Sequence, residues 1–157
     1  MPGVIQQTFS TADCKTVDIS QAEGAKIDQV FVGACTNGRL EDLRIAADIL
    51  RGKKIHPKVR MIVAASSREV HQKALDEGII SDLFRAGANI LIPSCGSCTG
   101  SNRNFVPGDG EVVLSTACKN HVGRIANKNA SIYLSSPATA AMSALVGAIT
   151  DSRKMEG

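Results

Sequence analysis

Three cysteines carry the chemistry this sequence suggests. Cys35 stands alone in Val32-Gly33-Ala34-Cys35-Thr36-Asn37-Gly38-Arg39, while Cys95 and Cys98 form a C-x-x-C pair in Pro93-Ser94-Cys95-Gly96-Ser97-Cys98-Thr99-Gly100. A C-x-x-C pair by itself fits a redox couple, half of a zinc site or part of a cluster site. Redox pairs sit at a helix start near the first strand of their fold, whereas this one comes late, in a glycine-rich turn after Pro93. Structural zinc normally takes four ligands, and no histidine lies close in sequence to supply the fourth. Three cysteines on a cubane iron–sulfur cluster leave one iron without a protein ligand. Such an iron can act as a Lewis acid, which removal of a poorly leaving hydroxyl requires. The residues alone leave the redox, zinc and cluster readings open.

The surrounding pattern says what must position these side chains. Apolar runs at 29–32, 59–64, 89–92, 111–114 and 131–134 predict strands. Leu40, Leu43, Ala47 and Leu50 form one stripe of a helix that starts near Arg39, with Thr36 or Asn37 as its cap and Gly52 at its close. Further helices are expected from Ser67 to Gly78, over 81–86, and from Pro137, well placed at a helix start, to about Thr150. Strands alternating with helices at this spacing predict an α/β fold: a three-layer domain with a mostly parallel sheet and helices on both faces. Cys35 would follow the first of these strands and Cys95 the third, at carboxyl ends, where open parallel sheets gather their ligands. Residues 1–27 read as an irregular lead-in, 28–152 as the domain and 153–157 as a frayed tail.

Composition narrows the function classes. The 157 residues include 43% hydrophobic and 21% charged side chains, which is neither disordered nor membrane-embedded. Aromatic residues are only 3%, so the stacking platforms of single-strand nucleic-acid binders are nearly missing. The net charge of +3 comes without a basic run. We therefore expect neither a nucleic-acid nor a membrane partner. The first ten residues lack the pattern of a secretory signal, and five cysteines, an odd number, fit a cytoplasmic metal or catalytic use better than a disulfide framework.

Three segments together resemble one known family. The Cys35 segment is similar to the G-S-C-T-N segment of the aconitase superfamily, and Ser94-Cys95-Gly96-Ser97-Cys98-Thr99-Gly100 to its G-C-G-P-C-x-G segment. Tyr133-Leu134-Ser135-Ser136-Pro137-Ala138 resembles its Y-L-A-S-P-A pattern. Within the superfamily the likeness is greatest to the last third of the large subunits of 3-isopropylmalate dehydratase and homoaconitase. The resemblance covers residues from about 25 to 152. It implies a [4Fe–4S] cluster held by Cys35, Cys95 and Cys98, with the Asn37 amide beside it to tune a sulfur. It also implies a small di- or tricarboxylic acid as substrate and further domains or a small subunit as partners.

The chain departs from the family at the substrate stretch. The pattern S-T-x-N-R-N-F-x-G-R appears as Ser115-Thr116-Ala117-Cys118-Lys119-Asn120-His121-Val122-Gly123-Arg124. Lys119 replaces the first carboxylate-binding arginine, Arg124 matches the second, and Cys118 replaces an asparagine. Lysine offers a point charge where arginine offers a planar fork. Asn102-Arg103-Asn104-Phe105 reproduces the missing tetrapeptide directly after the cluster loop, which makes Arg103 a further substrate-binding candidate. Dehydration needs a base for the carbon-bound proton, and the sequence offers no convincing one. Two functions follow: the cluster domain of a hydro-lyase that is incomplete alone, or a stand-alone, non-catalytic cluster-binding or sensing module.

Overall fold

The computed structural model describes residues 4–8, 14–95, 98, 105–118, 123, 125 and 127–156. Its strands are β1 (Val4–Thr8), β2 (Cys14–Asp18), β3 (Gln29–Gly33), β4 (Arg60–Ala64), β5 (Asn89–Leu91), β6 (Val112–Ser115) and β7 (Ser131–Leu134). They form one sheet in the order β2-β1-β7-β6-β3-β4-β5. The five expected runs are the parallel part, β7 to β5. The lead-in, expected to be irregular, instead supplies β1 and β2, an antiparallel pair that extends the sheet beyond β7. Its sequence, VIQQT and CKTVD, lacks a continuous apolar run because an edge pair of this kind need not be buried on both faces.

The helices are α1 (Ala34–Asn37), α2 (Leu40–Leu50), α3 (Arg68–Asp76), α4 (Ile79–Ala86) and α5 (Pro137–Val146). Alternation along the strands sorts the two faces. Val30, Val32, Met61, Val63 and Leu114 pack with α2, α4 and α5 in the main core. Leu43 and Leu50 of α2 are fully buried there, each contributing about 1.5–3 kcal/mol by removal from water. The in-between residues Phe31, Ile62 and Ala64 face the other way, against Ala117, Cys98 and Phe105. On that second face the described residues Cys98 and Phe105, from beyond β5, and Ala117, from beyond β6, pack against the sheet.

Local chemistry sets the helix ends. Ser67 accepts from the Val70 N–H at 3.2 Å and starts α3. Ser136 accepts from the Thr139 N–H at 3.2 Å, with Pro137 behind it, and starts α5. The cap of α2 differs from expectation. Arg39 is the N-cap residue, and its N–H donates to Asp42 at 3.1 Å; Thr36 and Asn37 belong to α1 instead. Helix α5 also stops at Val146, four residues before the expected Thr150, because Gly147 turns left-handed at φ +84 against the His56 ring. The expected frayed tail forms a short 3₁₀ segment, Ser152–Glu156, fastened by Lys154 to Glu23 at 2.6 Å and by Arg153 to Asp151. The Arg153 guanidinium holds the Asp151 carboxyl down at about 2.

At the amino ends of the parallel strands, Arg60 forks onto Glu111, spanning β3, and also donates to Gln29 at 3.3 Å. Gln29 in turn donates to the Phe105 carbonyl at 2.9 Å. The Arg60 hydrogen bonds hold the Glu111 carboxyl below its ordinary 4.5. The pair therefore stabilises the fold above that value and loses its effect as pH falls through the depressed one. Arg60 remains partly exposed, which limits the contribution to about 1 kcal/mol. Glu111→Gln should cost about that much near neutral pH and less at a pH well below 4.5, read from urea melts at the two values. An equal cost at both would assign the effect to something other than the ion pair.

Candidate metal centre

Strand β3 ends at Gly33, where φ is +148, and the next residue, Ala34, adopts a left-handed φ of +75. That conformation costs a residue with a Cβ about 1–2 kcal/mol. No side chain fits at position 33, because its Cβ would lie 2.2 Å from the Ala64 carbonyl oxygen of β4. The turn is thus made by close approach of two strands, and it aims the chain into α1, which carries Cys35. Thr116, buried just past β6, holds this turn in place. Its Oγ1 accepts from the Gly33 N–H at 2.9 Å and donates to the Gly33 carbonyl at 3.3 Å. Its N–H donates to the Phe31 carbonyl at 2.9 Å, and its own carbonyl accepts from the Asn37 amide.

A cavity of about 260 Å³ opens at the carboxyl ends of the strands. That is far more than a single water needs. Ala34 and Cys35 line it from beyond β3, residues 65–68 from beyond β4, Pro93, Ser94, Cys95 and Cys98 from beyond β5, and Cys118 from beyond β6. The Cys98 N–H donates to the Cys95 carbonyl at 3.1 Å, which ties the two cysteines together through their backbones. Cys98 is half-buried, with its inner side against Phe31 and Ile62, while Cys35, Cys95 and Cys118 are exposed. Among the described lining residues there is no Asp, Glu or His, and Arg68 is the one charged group. Beside the hydroxyls of Ser66, Ser67 and Ser94, the donors are sulfur, the soft set suited to iron–sulfur chemistry. Among the described residues, no three His, Cys, Asp or Glu side chains converge closely enough to grip one metal ion.

The structure thus brings Cys35, Cys95 and Cys98 to one wall. Asn37 lies behind it: its amide goes to the Thr116 carbonyl, and it does not line the cavity. Arg103, Lys119 and Arg124 fall outside the described residues. Two lining residues were not singled out as site residues from the sequence. Cys118 stood as a departure from the family pattern, placed where it could touch a cluster. Arg68 gave no signal except its place just after a strand's carboxyl end, where any residue of a parallel sheet is a candidate.

The sequence model of the aconitase family (aconitate hydratase) matches residues 5–147. The chain belongs to the aconitase family. The 3-isopropylmalate dehydratase large subunit of Wolinella succinogenes is 45% identical over 152 residues, covering 97% of this chain and 36% of that protein. The 3-isopropylmalate dehydratase large subunit 1 of Thermotoga maritima is 53% identical over 134 residues, covering 85% of the chain and 32% of that protein. The chain spans about a third of the length of these curated relatives. Membership agrees with the mostly parallel α/β sheet, and no helix among the described residues is long and apolar enough to cross a membrane.

Within this aconitase-family domain, the Thr116 hydroxyl is the element on which the cavity's geometry rests. Thr116→Val keeps the shape but leaves the Gly33 N–H buried and unpaired, at a cost of about 1–3 kcal/mol. Thr116→Ser should recover most of that loss. Urea unfolding of the three proteins checks this, and equal stability of Val and wild type would remove Thr116 from the role.

Proposed function

We propose that this chain is the cluster-bearing part of a hydro-lyase of the 3-isopropylmalate dehydratase type. Cys35, Cys95 and Cys98 would hold a [4Fe–4S] cluster, and the substrate would be a small di- or tricarboxylic acid such as isopropylmalate or homocitrate. The observation that supports this most is the meeting of Cys35 with Cys95 and Cys98 at one cavity, though β4 separates their strands. When bound, the cluster supplies an iron without a cysteine ligand, able to act as a Lewis acid on the departing hydroxyl.

The chain's own residues have other tasks. Arg124 and Lys119 would take the substrate carboxylates, with Arg103 the next candidate, and Arg68 adds a positive charge at the cavity wall. Lys119 binds as a point charge, so orientation would fall mainly to the planar guanidinium of Arg124. Thr116 and Asn37 keep Cys35 in position. The described wall carries neither carboxylate nor imidazole, so the base for the carbon-bound proton would come from a partner domain or small subunit. The relatives are named large subunits, which supports that division of labour. The reducing cytoplasm would keep the thiols available. The competing reading, a non-catalytic cluster-binding or sensing module, is favoured by Lys119 and by a fourth cysteine, Cys118, in the wall.

Anaerobic reconstitution with iron and sulfide should give a brown protein with about four irons per chain. Cys35→Ser, Cys95→Ser and Cys98→Ser should each lose most of that iron, while Cys14→Ser keeps it. Zinc filling the site where iron does not, or equal iron loss in the Cys14 variant, would overturn the assignment. Citrate or isopropylmalate titrated into the loaded protein should bind with a millimolar-scale constant, weaker in high salt, since exposed charge pairs are worth about 1 kcal/mol each. Arg124→Ala should weaken that binding further. Indifference to Arg124 would move carboxylate recognition to Arg68 or Arg103.

A further inference from the structure

We infer that in the substrate-free chain Cys118 supplies a fourth thiolate to the cluster, on the iron that Cys35, Cys95 and Cys98 leave open. The inference rests on the reading of those three cysteines as cluster ligands. It departs from that reading in making the resting site closed.

Cys118 lines the same cavity as the other three thiols. It reaches that wall from beyond β6, on the opposite side of Cys35 from the β5 loop: the strand order β6-β3-β4-β5 places the four cysteines on a line of neighbouring carboxyl ends. Its position is fixed by the residue two places before it. Thr116 binds both the N–H and the carbonyl of Gly33, and Gly33 is two places before Cys35. The two loops therefore leave the sheet from one clasped point, and Cys118 is carried to the cavity by the same device that carries Cys35. The Ala117 N–H donates to Ser115 Oγ at 3.0 Å, which fixes the one residue between.

The chemistry of the wall favours the same conclusion. A four-iron cubane has four corners, and the thiols that hold them surround it instead of converging on one centre. Cys35, Cys95, Cys98 and Cys118 all line the one cavity. No carboxylate or imidazole among the described lining residues competes for the fourth corner, and Arg68 is placed to offset the added negative charge. Thiolate is also the softest donor available, so a cysteine there would displace water from the open iron, giving up its thiol proton to solvent on binding. An asparagine could not do this. Substrate would have to displace Cys118 before it could reach the iron, so the thiol would act as a removable cap.

The test compares wild type, Cys118→Asn and Cys35→Ser after anaerobic reconstitution with iron and sulfide. Each is exposed to ferricyanide while iron is counted and cryogenic EPR spectra are recorded. Wild type should keep all its irons, and Cys118→Asn should lose one of them and develop a three-iron signal. Release should be at least about tenfold faster in the variant, the low end of what even an outer-shell change costs a metal site. Matching circular dichroism and melting of wild type and Cys118→Asn establish that the exposed substitution leaves the fold intact. Loss of one iron from both at the same rate overturns the cap while leaving the three-cysteine cluster standing. Full loading of Cys35→Ser overturns the cluster reading itself, and the cap with it.

Discussion

A single buried hydroxyl joins the two halves of the site. Thr116 lies where β6 ends and Gly33 where β3 ends, and these strands are the neighbours from which the chain departs in opposite directions. From β3 it proceeds to β4 and β5; from β6 it proceeds to β7. Parallel sheets leave a crevice at such a reversal, because the two crossovers go to opposite faces. Nothing in the ladder itself closes that crevice, since β3 and β6 pair only as far as Phe31 and Ser115. The Thr116 hydroxyl extends the pairing by side chain, satisfying the Gly33 amide that the ladder no longer serves. The cavity therefore begins at a defined place, with Cys35 and Cys118 each two residues beyond the clasp.

This clasp also explains the strained backbone beside it. Ala34 holds a left-handed φ although it carries a Cβ, and Gly33 passes so close to Ala64 that no side chain fits. Such strain persists only where surrounding contacts over-determine it. Here the contacts are the Thr116 bonds on one side and β4 on the other, with the Asn37 amide closing the loop onto the Thr116 carbonyl. Asn37 thus shapes the site from behind, as a brace for the segment that carries Cys35.

How much of this was legible in the sequence depended on burial. Strands β3, β4 and β6 announce themselves as apolar runs because they are almost wholly buried, β5 and β7 carry shorter apolar runs that are only partly buried, and the α2 stripe announces its single buried face. The cysteine motifs fix the identity of the wall, since their spacing places them after β3 and β5. The hairpin of β1 and β2 was missed because strand pairing at a sheet edge asks little of its side chains. The cap of α2 was misplaced because Thr36 and Asn37, good capping types, are already part of a helical turn forced by Gly33 and Ala34. That turn depends on a tertiary contact with Ala64, which no local pattern encodes. Arg68 was missed for the same reason: its nearness to the thiols follows from strand order, not from its neighbours.

Strand order also decides what the departures from the family pattern mean. Read along the chain, Cys118 is one changed residue in a stretch associated with substrate, and its loss of an amide looks like damage to recognition. Read across the sheet, it is the thiol beyond β6, next to the thiol beyond β3, on a wall with no carboxylate or imidazole among the described residues. A hydro-lyase needs an open corner on its cluster, whereas a cluster that only persists needs all four corners held. Three thiols satisfy the first demand and four satisfy the second. A chain that presents four has the means for both, provided the fourth ligand is the one most easily displaced. Cys118 meets that condition better than Cys98, because it is exposed whereas Cys98 is half-buried against the hydrophobic cluster that includes Phe31 and Ile62.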